Sequence, residues 1–131
     1  MTQTTDVPSV IDGLPGRDRF KLLQVSDELN VEVWHLIKDS NLEQIFGTDK
    51  EKQKGLLISP PKAKELQKAI EEGDNILDYS MLFLYNDHGR YKVLEVRRTT
   101  GLNPTYNLHV LSKKDWVLGS QSYVLIVPKL A

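Results

Sequence analysis

Residues 79–111 read YSMLFLYNDHGRYKVLEVRRTTGLNPTYNLHVL, and the spacing of breakers within this stretch decides the fold. Asn86-Asp87-His88-Gly89 and Gly101-Leu102-Asn103-Pro104 carry the residue types that turns require, and the runs between them are β-rich. The pattern predicts strands over 79–85, 90–99 and 105–111. A further strand over 120–127 follows the break at Ser112-Lys113-Lys114-Asp115. Side chains alternate between faces along a strand, so parity sorts them. With Glu95 opposite His109, one face collects Met81, Phe83, Tyr85, Leu94, Val96, Leu108 and Val110. The other collects Leu82, Leu84, Tyr91, Val93, Glu95, Arg97, Asn107 and His109. The first face is the expected core. The second, half polar and half apolar, is expected to lie outside as a solvated face or a binding surface.

Upstream, Ser59-Pro60-Pro61 opens a helix over 60–72 that ends before Gly73. Ser59 supplies the cap, and the prolines sit where a missing N–H does no harm. Ala63, Leu66, Ala69 and Ile70 form its apolar stripe, predicted to lie on the core face of the sheet. Gly55-Leu56-Leu57-Ile58 reads as a short strand, and Thr48 to Lys54 as a charged loop. Asn41 to Phe46 forms a helical turn closed by Gly47. Arg17 to Gly47 otherwise fits two patterns. Leu22, Leu23, Leu29, Val33, Leu36 and Ile37 suit a helical stripe with Ser26-Asp27-Glu28 as a helix start. Phe20–Val25 and Val31–Ile37 equally suit two strands. Helix is preferred. Residues 1–16, with two Pro, two Gly and scattered apolar side chains, read as a flexible tail, leaving 17–131 as one domain.

The expected fold is therefore α+β: an antiparallel meander of four or five strands, one well-defined packed helix, and N-terminal helices. The 131 residues match one domain, and 40% hydrophobic content suffices for a single core. Seventeen basic against eighteen acidic side chains leave a net charge of −1, so no global field draws the chain to nucleic acid or anionic lipid. Without cysteine there is no disulfide, thiol nucleophile or thiolate metal site. The longest apolar run, Met81 to Tyr85, is too short to span a bilayer, which takes roughly 20 residues, and a soluble, cytoplasmic protein is expected.

His35, His88 and His109 lack metal-ligand spacing, and the isolated glycines form no phosphate loop, so neither metal nor cofactor is expected. Glu95, Arg97, Asn107 and His109 on one face combine a base, a cation and an acid. They resemble in residue type the sheet-borne sites of small microbial ribonucleases, which makes RNA cleavage one alternative. Leu22 to Val31 followed by Val33 to Lys38 resembles the helix-turn-helix of excisionase-like regulators, with a wing at 47–58, and implies a nucleic-acid binder. Asp27, Glu28, Glu32 and Asp39 against Lys38 set a field that opposes phosphate there. The expectation that best suits a short, near-neutral chain without a catalytic motif is a protein-interaction module: an adaptor, inhibitor or assembly subunit. Its binding residues would be Tyr91, Val93, Glu95, Arg97, Asn107, His109 and Trp116, with the apolar run Tyr123 to Val127 offering an edge to a partner or to a second copy.

Overall fold

Six strands hydrogen-bond into one mixed sheet in the order β1-β2-β6-β3-β4-β5. They are β1 (Phe20–Ser26), β2 (Val31–Leu36), β3 (Ser80–Asp87), β4 (Arg90–Arg97), β5 (Thr105–Val110) and β6 (Tyr123–Pro128). The helices are α1 (Leu42–Phe46), α2 (Lys50–Lys54) and α3 (Pro60–Glu71), with single 3₁₀ turns at Val10–Gly13 and Arg17–Arg19. The computed structural model describes residues 9–71, 80–97, 104–113 and 115–130. Among them no helix is long and apolar enough to cross a membrane.

The β3–β4 hairpin forms where its turn residues predict. Gly89 adopts φ +90° and His88 φ +53°, and the Asn86 side chain accepts a hydrogen bond from the Gly89 N–H at 2.8 Å. The register of β4 with β5 is two residues from the expected one: Glu95 faces Asn107, and His109 faces Val93. A shift of two preserves parity, so the division of side chains between faces holds. Arg98 and the second turn lie outside the described residues.

Several sequence expectations are corrected, the first being the sheet itself, which has six strands and is mixed, β6 running parallel to β3, where an antiparallel meander of four or five was expected. Residues 20–36 form an antiparallel hairpin, not helices. Val31, Val33, Trp34 and Leu36 are all buried, Val33 in the α3-side core and Trp34 and Leu36 in the other, a two-sided burial that suits a strand and not a single helical stripe. With no helices at 20–36, the basis for a helix-turn-helix disappears. Lys50–Lys54 is a helical turn instead of a loop, started by the Asp49 carboxylate accepting from the Glu51 N–H at 3.0 Å. β6 lies in the middle of the sheet, antiparallel to β2 and parallel to β3, so it offers no edge. Finally, residues 9–16 are packed: Ile11 and Leu14 are buried in a core cluster, and Ser9 caps the first 3₁₀ turn. Met1 to Pro8 lie outside the described residues.

Both faces of the sheet are covered. On one, α3 lays Ala63, Leu66 and Ile70 against Val33, Met81, Phe83, Val96, Val124 and Ile126. Ser59 Oγ accepts the Lys62 N–H at 3.3 Å at the head of this helix, as its sequence predicts. On the other, Ile11, Leu14, Leu42, Ile45, Phe46, Leu56 and Leu118 close over Trp34, Leu36, Leu82, Leu84, Val93, Leu125 and Val127. The stretch read as a strand at 55–58 contributes one bridge, Leu57 to Leu84. Of the expected core, Leu108 and Val110 are instead 46% and 51% exposed, because β5 is an edge strand outside the cluster that α3 covers.

The second cover depends on a close approach at Gly16, whose N–H donates to Ile45 O at 3.2 Å. A Cβ there would stand 2.6 Å from both the Cα and the carbonyl oxygen of Ile45. Gly16→Ala is therefore expected to cost about 1–3 kcal/mol, the range for overpacking a tight contact, read as a lower urea midpoint. Gly13→Ala, whose Cβ would meet nothing within 4 Å, serves as the matched control.

Candidate functional site

Glu95 is central to the sequence-derived site, and its position in the sheet sets what the site can do. On the covered face of β4 its side chain is 2% exposed. A carboxylate stripped of water must be met by donors. Three converge on it: His109 Nε2 from β5 at 2.9 Å, Arg97 Nη2 at 3.1 Å and the Tyr123 hydroxyl from β6 at 3.2 Å. Since a carboxylate only accepts, the hydrogen bond places the His109 proton on Nε2. The His109 ring stacks on Trp116 with centroids 4.0 Å apart, and Trp116 meets Tyr123 edge-on at 6.1 Å. Lys113 Nζ lies 5.8 Å from the Trp116 ring centroid. Three strands and the β5–β6 crossover thus meet at one buried carboxylate.

These contacts shift the partners. Burial, followed by the negative charge of Glu95, raises the Tyr123 hydroxyl above the ordinary tyrosine value. The hydrogen bond to Glu95, with its charge, raises Arg97 further. A second buried carboxylate, Glu32 on β2, is met by Ser9 Oγ at 2.6 Å and Trp34 Nε1 at 3.0 Å. Arg17 lies over the Trp34 ring at 4.6 Å. Composition alone gives no signal for Tyr123 or for the Ser9–Glu32 link. Both depend on which strand lies beside which.

Of the residues expected to bind a partner, the structure brings Glu95, Arg97, His109 and Trp116 together. Val93 and Glu95 are buried under the second cover and present no surface. Asn107 is exposed opposite Glu95, and Tyr91, half-buried, lies apart from the cluster beneath Lys50, whose Nζ is 4.8 Å from its ring centroid. The expected outer face is therefore an interior one, because residues 9–19, α1 and the 116–118 crossover lie across it. An RNA 2′-hydroxyl needs an acceptor that it can reach. Glu95 is enclosed by its own donors, an arrangement that suits a tether between strands. Among the described residues no three His, Asp or Glu side chains gather as a metal site.

No family model, curated protein or solved structure matches the chain.

Removing the carboxylate strands His109 and Tyr123, while Arg97, 54% exposed, turns to water. Glu95→Ala is expected to destabilise by about 1–3 kcal/mol, the cost of leaving shielded donors unsatisfied, measured by urea unfolding. The tyrosine adds a pH dependence. Its folded-state pKa is raised, so the folded form holds the proton more firmly, and stability is constant below the unfolded tyrosine value of about 10 and falls as pH rises above it. Tyr123→Phe should flatten that alkaline fall in urea midpoint and leave the slope near neutral pH unchanged.

Proposed function

We propose that this protein is a non-enzymatic interaction module that recruits its partner by strand addition to β5. The observation that carries this reading is the chemistry of the edge. Edge strands are ordinarily blunted by charge, proline or a bulge. β5, Thr105–Val110, contains no Lys, Arg, Asp, Glu or Pro and pairs with β4 without a register break. Leu108 and Val110 stand exposed on it. The opposite edge, β1, carries Lys21 and an irregularity between Leu22 and Gln24. β5 is thus the less protected of the two.

A strand added beside β5 would extend the ladder and bring side chains alongside Leu108 and Val110, main-chain bonds giving affinity and alternate side chains selectivity. Its source is an extended segment of another protein or β5 of a second copy. An uncharged strand meets its own copy without like-charge repulsion. On this reading the Glu95 network is the rigid backing that holds β5 in place through His109.

The test is mass measurement in solution, alone and after capture of a partner from the native host, on the parent chain and on Leu108→Lys combined with Val110→Lys. Both positions are exposed, so the variant should keep its unfolding free energy to within about 1 kcal/mol, about 0.5 for each surface substitution, and lose association. A parent that stays monomeric and captures nothing, or a variant that associates like the parent, overturns the proposal.

A further inference from the structure

A cleft of about 390 Å³ opens at the end of the sheet, where the β3–β4 turn, the end of β5 and the α1–α2 connection meet. Its volume falls in the range of small-molecule sites. Tyr91 and Leu111 give it an apolar wall, and Thr48 and Ser112 give it hydroxyls. Lys50 and Arg90 line it from opposite elements, α2 and β4, against one carboxylate, Glu43. Among the described residues neither cation forms an ion pair. Asp87, opposite Arg90 on the β3–β4 ladder, is hydrogen-bonded by Lys92 at 2.7 Å, and that bond, followed by the charges of Lys92, His88 and Arg90, lowers its pKa, so Arg90 already shares the field of this carboxylate.

The walls are fixed before any ligand arrives. Buried Gln53 donates its amide to Gly47 O at 2.9 Å and Phe46 O at 3.3 Å, holding the connection in which Gly47 adopts φ +69°. Opposite, Gly89 is pinned to Asn86 within its positive-φ turn. Such pre-organisation lowers the ordering cost of binding. Lys50 Nζ lies over the Tyr91 ring, 4.8 Å from its centroid, so positive charge caps part of that aromatic wall.

We infer that this cleft binds a small organic anion carrying a planar ring, its ring against Leu111 and the part of Tyr91 that Lys50 leaves uncovered, and its charge between Lys50 and Arg90. The simplest probe is phenyl phosphate, titrated by calorimetry into the full chain beside inorganic phosphate and phenol. Phenyl phosphate should saturate one site and bind more tightly than either fragment. Lys50→Ala combined with Arg90→Ala should weaken it by about tenfold or more, the loss of two charge-assisted contacts, without moving the unfolding midpoint, since both side chains are exposed. Lys52→Ala, on the same helical turn but outside the cleft, should bind like the parent. Absence of saturable binding, equal affinity for inorganic phosphate, or affinity that survives the double substitution overturns the inference.

Discussion

Keeping water off both faces of one sheet is the constraint from which the rest of the structure follows. A sheet with one wet face needs only α3. Here the central strands carry apolar side chains on both parities: Val124 and Ile126 point into one core, Leu125 and Val127 into the other. Such runs belong to strands buried on both sides. Among the described residues the second cover has no long helix. It is assembled from 3₁₀ turns, two short helices and a crossover, pieces too small to be stable alone, and each is tied to the sheet or to its neighbour by named contacts. Ser40 and Leu118 exchange backbone hydrogen bonds at 3.1 and 2.8 Å, and Gly16 donates to Ile45.

That cover encloses two carboxylates, Glu32 and Glu95, on the same sheet face. Each is satisfied by donors from distant parts of the chain, so each joins segments that apolar contact alone would leave free to slide. Burial of charge is a poor source of stability, but removing one partner of such a contact is costly. Glu32 thereby holds Ser9 and the chain entry to β2. Glu95 holds β4 to β5 and β6, and the Trp116 stack secures the crossover between them.

Helix α3, the β3–β4 hairpin and the division of faces were legible because each rests on local chemistry: a cap, turn residues, parity. Even an error of two residues in register left parity intact. The N-terminal hairpin was not legible, since Leu22, Leu23 and Val25 are exposed on an edge while Val31 to Leu36 are buried, and a short apolar run cannot distinguish strand from helix by period. The interior location of the Glu95 face was not legible either. A strand with Val93 and Glu95 on one parity looks half-solvated until its cover is known, and that cover comes from residues more than seventy positions earlier, around Ile11 and Leu14. The residues of the cluster were identified together, while Tyr123 was missed, because its neighbour Glu95 depends on β6 being inserted between β2 and β3.

That insertion gives the chain a temporal order. β1 and β2 pair locally, as do β3, β4 and β5, but among the described strands only β6 joins the two groups. During synthesis the N-terminal hairpin must therefore wait, with the inner edge of β2 unpaired, until Tyr123–Pro128 has left the ribosome. Closure then brings together residues about ninety positions apart, such as Val33 and Ile126, the kind of distant pairing that slows folding. A nascent chain halted before Tyr123 would hold two sheet fragments that no other described strand connects, so translation past β6 is the step that commits the molecule to its native form.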